Sequence, residues 1–311
     1  MKVLKTDPNR TVTAKRPAEK RPMRFTDRDS RILETIHAFD GVMGDYQIKR
    51  RFFTGDRQCR GRLSVLFQHG FLARPDRKKR VSLPCMVYWL DQQGAAYVAG
   101  LNGQEIREFS YRREPRWSQI IHDLAVNDFR LDVLEACKRH PKLSLEQWIP
   151  ESEFWAYPDK VEFTDRTGKK SRRNVRPDGF FVVRQGDYYS RLLLELDRAT
   201  EDNPRFAREK VLPGIAYLRS KAYKQRFGFQ SGRWLVVTTS ERRMRNLKRQ
   251  TEAVAGKDAR VFYFTTTDQV QMKTLLTEPI WYRGGDDQPS ALFPTADSKA
   301  FNTRIPFAML T

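Results

Sequence analysis

The sequence predicts a two-domain protein, a small α+β domain followed by a larger α/β domain built on a mixed sheet. Three observations lead there. Residues 23–100 show three helical periodicities and then a strand–turn–strand pattern. Residues 117–283 alternate apolar runs of strand length with amphipathic helical stretches, as in a sheet with helices on its faces. Between them the polar "LNGQEIREFSYRREPR", residues 101–116, reads as a linker.

Composition bounds the function. A chain of 311 residues with 39% hydrophobic and 12% aromatic content can fill the cores of two domains. Its 58 Lys+Arg against 38 Asp+Glu leave a net charge of +20, an excess that a solvated surface alone does not explain. Such a surplus favours a polyanionic partner, nucleic acid first, with an anionic membrane or a ribosome-like assembly as the alternative. No apolar run reaches the roughly 18–20 residues that span a bilayer, and the N-terminus carries no apolar signal core. The expectation is a cytoplasmic protein without membrane contact. Cys59, Cys85 and Cys137 and the four histidines lack zinc-site spacing, so the thiols are read as reduced and structural.

The elements follow in order. Residues 1–22 hold seven Lys/Arg and two acids with no apolar period, the mark of a basic flexible tail suited to phosphates. In "FTDRDSRILETIHAF" Thr26 can cap a helix, Asp27 and Asp29 suit its positive end, and Ile32, Ile36, Phe39 and Met43 recur on one face. "GDYQIKRRFF" supplies a second helix with Ile48 and Phe52 turned inward. In "GDRQCRGRLSVLFQHGFL" a third helix turns Cys59, Leu63, Leu66 and Phe67 to the core, with Arg57, Gln58, Gly61, Arg62 and Gln68 opposite. Then "FLARP" leads through the basic turn "DRKKR" to the returning "VSLPCMVYWL", and "LDQQGAAYVAGL" adds a closing helix. Three helices and a basic hairpin are the parts of a winged helix-turn-helix. In such a module Arg57, Gln58 and Arg62 would face the major groove. Arg77, Lys78, Lys79 and Arg80 would lie on the wing against phosphate. Winged helices also serve as protein-docking modules, and a homodimer is compatible with either use.

The second domain opens with a helix over 117–138, followed by extended "SLEQWI" and "KVEFTD". In "VRPDGFFVVRQGDYYSRLLLELDRATE", Gly186-Asp187 suits a two-residue type II′ turn. Pairing outward sets Val183 opposite Ser190, Phe181 opposite Leu192, and Asp178 opposite Glu195. Asp197 then shares that face, across from Arg176, while Phe181, Val183, Leu192, Leu194 and Leu196 form the apolar face. Two carboxylates opposite one another repel unless a cation, a proton or basic neighbours intervene. Mg2+ accepts one or two carboxylates and keeps several waters, so Asp178 and Glu195 are candidate ligands. The alternative is a salt-bridge cluster in which Arg176, Arg198 and Lys210 neutralise Asp178, Glu195 and Asp197. A helix within 203–224, a strand in "RWLVVTTS", a basic helix in "ERRMRNLKRQTEAV" and a strand in "ARVFYFTT" complete the domain. The basic "RTGKKSRR", residues 166–173, is either a phosphate contact or a solvated surface. His122 and Asn127 read as satisfied core groups. The tail at 284–311 is either an ordered apolar arm or a partner-binding segment.

The order of helix, strands, "PD" strand, "ELD" strand, helix and strand resembles the PD-(D/E)xK nuclease-like fold. That resemblance implies that Asp178 and Glu195 hold Mg2+ and that a lysine two residues after Glu195 activates water. Here Asp197 holds the lysine position, which argues against cleavage, and Lys210 on the next helix is the nearest substitute. The whole arrangement, with "RPD" at 176–178, "ELDRATE" at 195–201 and "IIHDLAVNDFRL" upstream, resembles the replication-relaxation family of plasmids and mobile elements. The resemblance implies a DNA-binding accessory in replication, relaxation, transfer or transposition, working beside replication, relaxase or transposition proteins. Its nuclease-like domain would be degenerate. The alternative is a Mg2+-dependent nickase using Asp178, Glu195 and Lys210.

Overall fold

The computed structural model describes residues 14–165, 168–198 and 203–294. The chain packs as two compact units, Met1–Asp128 and Phe129–Thr311. The first holds α1 (Asp27–Ala38), β1 (Val42–Gly44), α2 (Asp45–Phe52), α3 (Asp56–Gln68), β2 (Leu72–Ala73), α4 (Arg77–Arg80), β3 (Val87–Leu90) and α5 (Gln92–Leu101). α1 starts where the Thr26 amide donates to the Asp29 carboxylate at 2.8 Å, closing the first turn. Ile32, Ile36, Phe39, Met43, Ile48, Cys59, Leu63, Leu66 and Phe67 are buried, which is the face the periodicity assigns to the core.

The basic turn takes a form the sequence did not suggest. Arg77–Arg80 make one turn of helix, because the Asp76 side chain accepts the Lys79 amide at 2.9 Å. The flanking β2 and β3 are short, and β1 adds a third strand in the antiparallel order β1-β3-β2. α5 seats against the chain after α3 so closely that a Cβ on Gly94 would lie 2.1 Å from the Phe71 carbonyl oxygen.

Two segments expected to be loose are packed within this unit. The Ala14 amide donates to the Arg74 carbonyl at 3.0 Å, and Arg16 Nε donates to the Phe67 carbonyl at 2.8 Å while its guanidinium pairs with Asp91. Residues 1–13 of the basic tail lie outside the described residues. Within 101–116, Arg112 and Arg116 reach the buried Asp123 at 3.1 and 2.6 Å, and Trp89 Nε1 donates to the Arg113 carbonyl at 2.9 Å. The expected linker therefore supplies the cations that a buried carboxylate requires.

α6 (Ile120–Arg139) crosses the division between the units. Ile120 and Leu124 join Val42, Ala73, Val87 and Trp89 in the first unit's core. In the second unit, Phe129 meets the Phe181 ring edge-on at 5.9 Å.

The remaining elements are β4 (Leu143–Pro150), α7 (Glu151–Ala156), β5 (Asp159–Thr164), β6 (Lys170–Val175), β7 (Gly179–Gln185), β8 (Tyr188–Asp197), α8 (Asn203–Phe206), a π-helical turn (Ala207–Val211), α9 (Leu212–Arg219), α10 (Lys221–Phe227), β9 (Arg233–Thr238), α11 (Glu241–Ala255), β10 (Phe262–Thr266), β11 (Trp281–Arg283) and β12 (Pro289–Ser290). Seven strands form one mixed sheet in the order β12-β11-β10-β9-β8-β7-β4. β8, β9 and β10 run parallel, and the other pairs are antiparallel. β5 and β6 pair apart from that sheet as a two-stranded hairpin.

The single helix expected within 203–224 is broken. Ser220 is extended and its hydroxyl accepts the Tyr223 amide at 3.0 Å, which ends α9 and starts α10. Both faces of the sheet are buried. Phe180, Val182 and Leu193 pack with Tyr217, Trp234, Leu247 and Phe262 on the face that also carries the acids. Burial of each such side chain contributes about 1.5–3 kcal/mol. The start of the expected tail is ordered: β12 extends the sheet edge, and Leu292 and Phe293 are buried. Residues 295–311 lie outside the described residues. Among the described residues no helix is long and apolar enough to cross a membrane.

Candidate functional site

The site is built by the turn between β7 and β8. Gly186 takes a φ of +58° at the first central position, which a side chain would resist. The register that follows is Val183↔Ser190, Phe181↔Leu192 and Gly179↔Leu194, and the ladder ends one residue short of Asp178 and Glu195. Asp178, Glu195 and Asp197 are 5%, 7% and 8% exposed. Three buried carboxylates at one end of two strands need compensation, since each carries a desolvation cost of several kcal/mol when charged.

Each acid is compensated differently. β7 begins only at Gly179, so the β8 amide at Leu196 has no strand partner on that side; Asp178 Oδ2 accepts it at 2.6 Å. The Asp178 amide donates in turn to the Leu194 carbonyl at 2.9 Å. Glu195 Oε1 lies 2.7 Å from Lys210 Nζ, delivered by the π-helical turn between α8 and α9. Asp197 is held by both arms of Arg243, Nε to Oδ2 and Nη2 to Oδ1, each at 2.9 Å, with Thr238 Oγ1 donating to Oδ2 at 2.6 Å. Arg243 comes from the first turn of α11, where Ser240 caps the helix.

Glu195 and Lys210 meet, as the salt-bridge alternative expects, and Asp178 turns to the Leu196 amide. The structure departs at Arg176, which was expected across from Asp197. Its guanidinium stacks on Trp155 instead, 3.7 Å from the ring centroid. Arg243 and Trp155 were both missed. The only sequence signal for Arg243 is its place three residues after Ser240, at the head of a basic helix.

Asp178 Oδ2 thus accepts an amide and Glu195 Oε1 meets an ammonium. Among the described residues no group of three His, Cys, Asp or Glu side chains is placed to hold a metal ion. Glu195–Lys210 and Asp197–Arg243 are ion pairs of the kind the salt-bridge alternative expects.

In the first unit, Arg57 and Gln58 are exposed on α3, and a Cβ on Gly61 would meet nothing within 4 Å. Arg62 does not join that face. It turns to the fully buried Asp29, Nε to Oδ1 at 2.6 Å, and its Nη2 donates to the Arg24 carbonyl at 2.7 Å. The reason is electrostatic: burial alone would push the Asp29 carboxyl up, but hydrogen bonds from Arg62 and Thr26 outweigh it and hold it below its ordinary value. On α4, Arg77 and Lys78 are exposed. Lys79 lies 5.3 Å over the Trp117 ring, and Arg80 donates to the Leu83 carbonyl at 2.8 Å. Asn127 is buried and donates to the Val42 carbonyl at 2.7 Å, a structural role as read; His122 is half-buried on the same helix. The three cysteines are free, and burial pushes each thiol up to about 11, so none is a ready nucleophile.

Fold and site together define an α+β protein whose large mixed sheet ends in a buried acid–base cluster. Its particular place among such proteins comes from comparison. The family model described as Replication-relaxation matches residues 33–230, more than half of the chain, from within α1 past the acid cluster and α10. The chain belongs to the replication-relaxation family. Membership suggests a role in replication or relaxation of plasmid or mobile-element DNA. Neither a curated protein nor a solved structure matches it.

Proposed function

We propose that this chain is a double-stranded DNA-binding accessory protein of a plasmid or mobile element. It acts in assembling a replication, relaxation, transfer or transposition complex. The first unit works as a winged helix-turn-helix, with α3 as the reading helix, and the second is a nuclease-like scaffold that does not cut. The observation that carries the reading is the exposed polar face of α3, Arg57 and Gln58 beside the open Gly61, in a chain of net charge +20. Arg and Gln at such positions can pair with guanine and adenine edges, and Gly61 removes the side chain that would hold the helix away. Arg77 and Lys78, with the half-buried Lys79 and Arg80, supply phosphate contacts. Arg62 is committed to Asp29 and contributes by keeping α3 in place.

The non-cutting reading rests on the two ion pairs. Asp197 sits where cleavage chemistry calls for a cation, and Arg243 holds it there; Glu195 is matched by Lys210. The partners expected are replication, relaxase or transposition proteins at the same DNA, in the cytoplasm, with a homodimer as one mode of assembly.

Footprinting on the parental element's DNA tests the reading. Arg57→Ala with Gln58→Ala should cost about 1–3 kcal/mol per lost base contact and erase the footprint. Removing Arg77 and Lys78 should weaken all sequences alike. Undiminished site selectivity after the α3 changes would reject the assignment.

A second reading has one observation in its favour, the approach of Lys210 to Glu195. It makes the chain a Mg2+-dependent nickase with Asp178 and Glu195 as ligands. Incubating a supercoiled plasmid with Mg2+ or Mn2+ decides between them: nicking abolished by Asp178→Ala and Glu195→Ala, with binding retained, would establish the enzyme.

A further inference from the structure

The hairpin β5–β6 stands outside the main sheet and packs on α9 and α10. Between them runs an open groove of about 510 Å³. One wall carries Lys160, Glu162 and Arg172 from the hairpin; the other carries Arg219 and Lys221 from the α9–α10 corner. Four cations face one acid. Glu162 is a weak counter-charge, 3.9 Å from Arg172 with both side chains mostly in solvent. Asp258 draws on Arg219 at 2.5 Å. Among the described residues no carboxylate pairs with Lys160 or Lys221.

The acid–base cluster does not need this arrangement. Asp178, Glu195 and Asp197 are compensated by Leu196, Lys210, Thr238 and Arg243, none of which lines the groove. Nor does the hairpin's fold require it, since its inward contacts come from the buried Val161 and Val175. Its outer strand presents Lys170, Arg172 and Arg173 to solvent as well. A concave site with cations on both walls and an open side suits an anionic rod passing through, not a small anion enclosed by buried donors.

We infer that this groove is a second nucleic-acid site, one that grips a phosphodiester backbone without reading sequence. The inference shares with the proposed function only the nature of the partner. It needs neither the winged-helix assignment nor an active nuclease.

The physics gives it a distinct signature. A cation that neutralises a phosphate releases counterions, so the salt dependence of affinity counts the contacts, about 0.9 in the log–log slope for each duplex phosphate and about 0.7 for each single-strand one. The experiment is fluorescence anisotropy of the full chain on a labelled duplex and on one of its strands, across a salt series. Lys160→Gln, Arg172→Gln and Lys221→Gln are combined in one variant, and Lys160→Arg, Arg172→Lys and Lys221→Arg in a second. The glutamine variant should lower the duplex slope by about 2–3, or the single-strand slope by about 2, on related and unrelated sequences alike. The charge-retaining variant should keep the original slope. The larger change shows which form of the strand the groove takes. An unchanged slope on both DNAs overturns the inference, as does an unchanged slope joined to weakened binding of polyglutamate, which would mark an acidic protein surface as the partner. Arg57→Ala with Gln58→Ala serves as the control. Lost selectivity there with an intact groove slope, or the reverse, separates failure of one site from failure of the other.

Discussion

Replacing Arg243 by methionine should destabilise the second unit by about 3–5 kcal/mol, because it leaves Asp197 buried without its cation. The geometry sets that size. Asp197 is 8% exposed and receives two guanidinium bonds at 2.9 Å, so water cannot replace what is lost. Thr238, at 2.6 Å, would still donate to the carboxylate, but it brings no charge. For a unit of this length, 3 kcal/mol corresponds to a fall of about 6–12 °C in Tm. Adding Asp197→Asn to Arg243→Met removes the charge and keeps a Thr238 partner, so the double variant should lose only about 1–2 kcal/mol. The coupling from the cycle is then about 2 kcal/mol or more. Calorimetry at neutral pH on the four proteins measures it. A single-variant fall under about 2 °C, or additive effects, would refute the reasoning and reopen Asp197 for some other task.

Further outcomes follow from the same contacts. Asp29 has a lowered folded pKa, so its contribution to stability is present above the unfolded value of 3.8 and is lost as pH falls through the folded one. Urea midpoints taken from about pH 5 downward should therefore fall less steeply for Asp29→Asn than for the parent. Arg62→Ala should cost about 3 kcal/mol at neutral pH by stranding the Asp29 charge, seen as a loss of helical signal from the first unit at lower denaturant. Gly94→Ala would press a methyl to 2.1 Å from the Phe71 carbonyl and should cost about 1–3 kcal/mol by thermal unfolding. On the non-cutting reading, supercoiled plasmid should stay intact with Mg2+ and EDTA should leave the Tm unchanged, because Lys210 and Arg243 take the place of a cation beside Glu195 and Asp197.

Some of this was legible in the chain and some could not be. The β7–β8 register was readable because a glycine turn fixes pairing and each step of two residues returns to the same face, which brings Asp178 and Glu195 to the end of the ladder. Lys210 was readable as the first lysine after the acids, although the π-helical turn that aims it was not. The partners of Arg62 and Asp197 lie 33 and 46 residues away, at distances where periodicity carries no information. A helical wheel placed Arg62 opposite the core and could not foresee that Asp29 would be buried beneath it. The "DRKKR" turn was read from its charge, whereas Asp76 as a capping acceptor was the stronger local signal. The residues of 101–116 looked like a linker because they are polar, yet their arginines answer the buried Asp123.

A graft or crossover made inside 101–116 would seem to lift out the front module cleanly. It would not, since Ile120, Leu124 and Asn127 on α6 complete that module from beyond the junction. A transplant ending at Arg116 would arrive with Val42 and Trp89 uncovered and Asp123 left behind. A viable graft has to carry the chain through Asp128 and rejoin the recipient in the middle of a helix, in phase with its turns.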